Sequence, residues 1–557
     1  MQYIFPRGRI LAAAGALACA VLGLAPAASG AVTHASSAVL PVRPCASLTG
    51  TYRIPGAVTQ VKTATPVAGS NGQPAYCDVR GFVAPAVGFE LKLPAAFNGR
   101  YLQYGCAGLC GVIFPGTLTF PAPPGPCGPP PGAEFAVAAT DDGHISSNPF
   151  LPIFDGSWAA HNQAARDDFF YRGPHVVSVA AKRIIAAYYG SAPEYSYFRG
   201  CSTGGREGLL EAQRYPHDFN GIIAGSPGIF MQALLGVYFG WNARANMDAR
   251  GAPILTAGKL PALHNAVMAA CDSLDGLSDG QIDDPRACRF DPGSIQCPSG
   301  TDRPTCLTPA QVAVVRKVYA GPNDGHGHRL YPGGEPRGTE LAWAGYLVPS
   351  GGFSIAPLPD NYFRYVGYPI GSPASSLATF QFTVREFRRL TAIGAEGNAL
   401  SVNLSAFRAA GGKLIIYHGW ADQGISPFGT LDYYQRLWQH NGGLRATQRW
   451  ARLFMIPGLY HCDTGGDTLT ALNPIPALVD WVEHGHAPDH IIATGHDSAG
   501  KARTRPVFPY PLRAAYDGTG SINDARNFKP APPLAPPHDI IHWAGDYLYA
   551  LPGPVAP

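Results

Sequence analysis

Short apolar runs alternate with amphipathic helical stretches along most of this chain, and that alternation restricts it to a parallel α/β sheet with helices on its faces. Strand signals stand at residues 82–94, 100–104 and 134–140. A helix is expected over 175–189, where Val176, Ala180, Ile184 and Tyr188 recur at helical spacing. A short aromatic run at 195–199, a helical stretch at 204–214 and the apolar run 221–225 follow. The alternation stops after residue 226 and resumes with a strand at 413–417, a helix at 429–440, a strand at 451–456 and a helix over 468–484. The interruption carries four cysteines, an Asp-rich loop and Gly/Pro/aromatic segments, and reads as an inserted lid. The expected organisation is a signal peptide over 1–31, the first part of the sheet domain over 32–225, the lid over 226–400, and the second part over 401–557.

Composition narrows the class further. The 557 residues are 46% hydrophobic, with 26 Phe, 26 Tyr and 8 Trp, which supplies a core and argues against global disorder. Charged residues make up 14%, against roughly 25% in an average globular protein, while 67 Gly and 54 Pro mark a loop-rich, extracellular style of chain. A net charge of +3 without long runs gives no footprint for nucleic acid or an anionic membrane, so the expected partner is a small molecule. Arg7 and Arg9, an apolar run over 10–24 and small residues to Ala31 read as a secretory signal, too short to span a bilayer. Cys19 lies inside that run, which speaks against a lipid attachment site. Cys45, Cys77, Cys106, Cys110, Cys127, Cys201, Cys271, Cys288, Cys297, Cys306 and Cys462 remain, an odd number. In an oxidising compartment the close pairs Cys271/Cys288 and Cys297/Cys306 read as disulfides, with the other connectivities open. Cys106 and Cys110 have no nearby His or second Cys pair at zinc spacing.

A serine nucleophile on such a sheet sits on a sharp strand-to-helix turn flanked by glycines. Gly200-Cys201-Ser202-Thr203-Gly204 fits, and so does Gly276-Leu277-Ser278-Asp279-Gly280. Only Ser202 follows a strand signal and opens a helical one; Ser278 lies in an acidic loop that opposes an alkoxide. An acid and then a His should follow, each just after a later strand. His418-Gly-Trp-Ala-Asp422 and Pro457-Gly-Leu-Tyr-His461-Cys462 occupy those places, so Asp422 would orient His461 and His461 would take the Ser202 proton. Asp432, Asp463, Asp467 and His418 remain alternatives at this level. Cys201 precedes the serine and Cys462 follows the histidine; a bridge between them would hold their Cα atoms within about 7 Å.

The segments Tyr197-Phe-Arg-Gly-Cys-Ser-Thr-Gly-Gly-Arg-Glu-Gly208, Ala212-Gln-Arg-Tyr-Pro216, Phe219-Asn-Gly-Ile-Ile-Ala-Gly225 and Pro457-Gly-Leu-Tyr-His-Cys462 resemble the tannase and feruloyl esterase family, which includes mono(2-hydroxyethyl) terephthalate hydrolases. The resemblance runs from about residue 45 to about residue 530. It implies an α/β-hydrolase sheet with a large inserted lid domain, a Cys201–Cys462 disulfide, and the triad Ser202, Asp422 and His461. It also implies an oxyanion hole from the backbone N–H of Thr203 and of Ala107, although two cysteines here stand in the family's glycine-rich loop. By composition Asp272, Asp275 and Asp279 are either a solvated acidic turn or oxygen ligands for calcium. The resemblance favours a structural Ca2+ held by Asp272, Asp275, Asp279 and the carbonyls of Leu277 and Gln281. A C-terminal disulfide common in the family is missing. The expected activity is a secreted serine carboxylic-ester hydrolase acting on phenolic or aromatic esters. The alternatives are an inactive, calcium-stabilised binding protein on the same fold and a terephthalate-monoester hydrolase. Lid aromatics such as Trp343, Tyr346 and Phe353 are candidates to stack on a phenolic ring, or are lid core.

Overall fold

The structure, a computed structural model, describes residues 38–69, 74–113 and 135–556. The expected signal segment, Cys19 and Cys127 lie outside the described residues. Ten strands form the main sheet: β1 (Gly50–Tyr52), β2 (Thr59–Val67), β3 (Tyr76–Val83), β4 (Val87–Pro94), β5 (Arg100–Tyr104), β6 (Ala136–Thr140), β7 (Tyr195–Cys201), β8 (Gly221–Gly225), β9 (Lys413–Gly419) and β10 (Ala451–Ile456). Their spatial order is β1-β2-β3-β4-β6-β5-β7-β8-β9-β10. β5 to β10 pair in parallel, and β1 to β4 extend the sheet as an antiparallel meander that joins it through β4 and β6. This is the α/β-hydrolase fold.

The parallel strands are apolar throughout because both faces are covered. In β9, Leu414 and Ile416 enter one core while Ile415 and Tyr417 enter the other. The first core takes the inner face of the helix Gly173–Tyr189 through Val176, Ala180 and Ile184, the stripe anticipated from spacing. The second takes Leu478 and Trp481 of the helix Ile475–His484. Residues 82–94 fold as the end of β3, a turn through the cis Ala84–Pro85 bond, and β4, where one strand was expected. The stretch 468–484 likewise divides. Leu469–Leu472 pairs with Ile491–His496 in a small antiparallel sheet, and the helix begins only at Ile475, after Pro474.

β8 and β9 are adjacent strands, so everything from 226 to 412 is an excursion between neighbours. Its middle has a core of its own, built from residues such as Leu263, Val267, Val315, Trp343 and Leu347 and stapled by Cys271–Cys288 and Cys297–Cys306. Its flanks, with Phe230, Tyr238, Tyr362, Phe363 and Phe380, join the main core. Most of the excursion's aromatics are therefore packing residues: Trp343, Tyr362, Phe363 and Phe380 are fully buried, whereas Phe353 is exposed. Cys45–Cys77 and Cys106–Cys110 complete five disulfides among the described residues. No helix among these residues is long and apolar enough to cross a membrane.

Candidate active site

Ser202 stands between the end of β7 and the helix Thr203–Arg214 with φ 63° and ψ −119°, a conformation that costs a non-glycine residue about 1–3 kcal/mol. The surroundings enforce it. The Ser202 N–H donates to the Gly225 carbonyl and the Gly228 N–H donates to the Ser202 carbonyl, both at 3.0 Å. A Cβ at Gly200 would lie 2.1 Å from the Gly204 carbonyl oxygen, so the turn closes only with glycine there. Ser278, the other G-x-S-x-G serine, lies in an irregular loop after a 3-10 turn and faces no such helix.

Beyond β9 the chain turns at Asp422, whose side chain is fully buried. Its Oδ1 accepts the N–H groups of Gly424 and Ile425 at 2.7 Å each. Both carboxylate oxygens face Nδ1 of His461, at 3.0 and 2.9 Å. Burial by itself would push this carboxyl up. The charges of and hydrogen bonds from His461 and His418 outweigh it and hold Asp422 well below the usual carboxylate range. An ionised carboxylate only accepts, so Nδ1 of His461 carries the hydrogen.

The bridge Cys201–Cys462, with Cα atoms 5.7 Å apart, ties the serine turn to the histidine loop. The other candidates fall into different roles. Asp432 binds Arg436, Tyr549 and the Ile541 N–H, and Asp463 faces Arg199 and Tyr417. Asp467 accepts from Tyr460, and burial pushes its carboxyl up to about 7. His418 was an alternative base; the structure puts it behind Asp422, with Nε2 3.2 Å from Oδ2. Gln423, which no motif marks, accepts the His461 N–H at 3.1 Å.

The loop after β5 comes down onto the serine helix. The Gly204 N–H donates to the Cys106 carbonyl at 2.9 Å, and the Thr203 hydroxyl donates to the Gly108 carbonyl at 2.7 Å. Thr203 is the first residue of its helix, so its N–H has no intrahelical acceptor. Ala107 sits in the short loop that Cys106–Cys110 closes, where its carbonyl accepts the Cys110 N–H.

In the acidic loop, Asp272 accepts from the Asp279 and Gly280 N–H groups and Asp275 from the Leu277 N–H. Asp279 also accepts from Arg505 at 2.6 Å. Asp283, unmarked in the sequence, joins them; burial and the charge of Asp275 push it up to about 8. The three aspartates do not gather within 4.8 Å of one another, as two other groups of this chain do. Yet Oδ1 of Asp279 and Oδ2 of Asp283 are buried without a hydrogen-bond partner among the described residues. Surplus acceptors on hard oxygens fit a divalent cation of the calcium type.

A serine on a strand-to-helix turn of an α/β-hydrolase sheet, tied by a disulfide to the loop of a carboxylate-bound histidine, fits the class that the family comparison shows: a carboxylic ester hydrolase. The family model for tannase and feruloyl esterase matches residues 71–531, and the chain belongs to that family. An uncharacterized esterase of Xanthomonas campestris is 36% identical over 507 residues, covering 82% of this chain and 84% of that protein. The mono(2-hydroxyethyl) terephthalate hydrolase of Piscinibacter sakaiensis is 33% identical over 525 residues, covering 83% and 85%. Among solved structures, feruloyl esterase B from Aspergillus oryzae matches with a TM-score of 0.71 at 27% identity, covering 85% of this chain and 97% of that one.

Proposed function

We propose that this esterase is secreted and hydrolyses phenolic or aromatic esters, of the feruloyl esterase or tannase kind, through an acyl-enzyme on Ser202. The Ser202 oxygen attacks the ester carbonyl as His461 Nε2 takes its proton, and the N–H groups of Thr203 and Ala107 hold the developing oxyanion. Collapse expels the alcohol, which takes the proton from His461; water then attacks the acyl group by the reverse proton path. Asp422 fixes the imidazole and stabilises its cation. The observation that carries this reading is the Cys201–Cys462 bridge, which joins the serine turn to a histidine whose Nδ1 is already committed to Asp422.

Residues 226–400 act as the lid over the acyl site in this proposal. Asp272, Asp275 and Asp279, with the carbonyls of Leu277 and Gln281, would hold a structural Ca2+. Held there, the ion would supply rigidity to the lid. The inactive-binder alternative is disfavoured, since the chain retains a serine, an acid and a histidine in the order this reading needs. Ser202→Ala should abolish hydrolysis of methyl ferulate and p-nitrophenyl esters while secretion and thermal unfolding stay unchanged; retained turnover would refute the reading. Rates on methyl ferulate, methyl gallate and a terephthalate monoester separate the substrate classes.

A further inference from the structure

Behind the loop that carries Ala107 lies a second concentration of reactive groups. The Sγ of Cys106 is 3.2 Å from Oδ2 of Asp142 and 2.8 Å from Oε1 of Glu207; the Sγ of Cys110 is 3.4 Å from the same Asp142 oxygen. All four residues are buried, and one ligand atom from each lies within 4.8 Å of the others. Neither cysteine signalled this in the sequence, because its companions come from the turn after β6 and from the second turn of the serine helix.

In the bridged form this arrangement is electrostatically awkward. A disulfide sulfur carries no hydrogen, so in the bridged form neither sulfur can donate to the carboxylate oxygens it faces. Asp142 Oδ1 is buried with no hydrogen-bond partner among the described residues. Glu207 has the Cys106 N–H at 3.1 Å. The guanidinium of neighbouring Arg206 donates to the carbonyls of Phe169, Phe170 and Gly397. The charge of Arg206 acts on both carboxyls, but its N–H groups are spent on those carbonyls, so it makes no hydrogen bond to the acceptors where they meet. The other close group, His175, Glu211 and Asp218, already has Lys182 bonded to the Asp218 carbonyl.

We propose that the dithiol form of Cys106 and Cys110, together with Asp142 and Glu207, binds a thiophilic divalent cation of the zinc class, so that this loop exists in a disulfide state and a metal-bound state. Two thiolates and two carboxylates form a closed tetrahedral set, with Zn–S about 2.3 Å and Zn–O about 2.0–2.2 Å. Opening the bridge needs a thiol reductant: two R–SH become R–S–S–R while the Cys106–Cys110 bond becomes two thiols. Metal binding then releases both thiol protons. The site does not depend on the acyl-enzyme reading. Its consequence for activity does, because Cys106 and Gly108 are bonded to Gly204 and Thr203.

The test incubates the intact protein with a mild thiol reductant and one equivalent of Zn2+, removes free metal, and measures bound zinc, while differential alkylation reports which cysteines opened. Wild type should retain one zinc per chain more than Cys106→Ala/Cys110→Ala treated alike, which controls for thiols freed elsewhere. Asp142→Asn should bind about tenfold or more weakly. Co2+ in place of Zn2+ should give visible tetrahedral bands and thiolate charge transfer in wild type, a readout independent of any variant. Equal zinc in wild type and the double variant, cobalt spectra without thiolate character, or a pair that stays oxidised in the folded protein would each overturn the proposal.

Discussion

Nε2 of His418 stands 3.2 Å from Oδ2 of Asp422, the oxygen that also takes the Nδ1 hydrogen of His461 at 2.9 Å. The acid is thereby held between two imidazoles. The His418 ring is itself fixed by the Ile425 carbonyl and the Thr430 hydroxyl, both at 2.9 Å. Hydrogen bonds to charged groups contribute about 1.5–3 kcal/mol. His418→Gln should therefore lower kcat by roughly 10- to 100-fold with little change in KM. Steady-state kinetics on methyl ferulate check this, and an unchanged kcat would assign His418 to packing alone.

The bridge Cys201–Cys462 closes a separation of 261 residues. Its removal by Cys201→Ala/Cys462→Ala should cost about 2–5 kcal/mol in denaturant unfolding. Activity should fall further than the folded fraction does, because the serine turn and the histidine loop lose their tether. Comparison of kcat at full folding with the unfolding midpoint separates the two effects.

His144 gives the fold an acid-sensitive limb. It is buried, stacks on Trp158, and meets the Leu109 carbonyl at 2.8 Å through Nε2. Burial lowers its pKa to about 4, against the opposing hydrogen bonds and the charge of Asp155. The unfolded chain, titrating near 6.5, binds the proton first, so stability is full above about 6.5 and is lost as pH falls toward 4. The size is roughly 3 kcal/mol. Thermal unfolding of wild type and His144→Phe across that window checks it: the variant's curve should be flatter.

The calcium proposed for the acidic loop would stabilise the folded chain by mass action, about 2.7 kcal/mol at a hundredfold excess over Kd. Chelation should lower Tm, Ca2+ should restore it, and Mg2+, which demands tighter octahedral geometry, should not. Asp275→Asn should remove the response to Ca2+. A Tm indifferent to chelator in wild type would dispose of the calcium site.

Some of this architecture could be read directly from the chain. Strands such as 221–225 and 451–456 and the helix over Gly173–Tyr189 follow from local apolar spacing, because a buried parallel strand or an amphipathic face writes its environment into consecutive residues. The strand-turn-helix context likewise singled out Ser202 over Ser278. Spacing failed where a turn falls inside an apolar run, as at Ala84–Pro85, and where a short strand precedes a helix, as at Leu469–Leu472. What tertiary structure alone decided is which distant groups meet. His418 stands behind Asp422, Asp283 joins the acidic loop, and Asp142 and Glu207 converge on Cys106 and Cys110. Such meetings depend on how separate strand ends are brought together by the sheet order, and the energetic cost of a buried carboxylate is fixed by its neighbours in space, not in sequence.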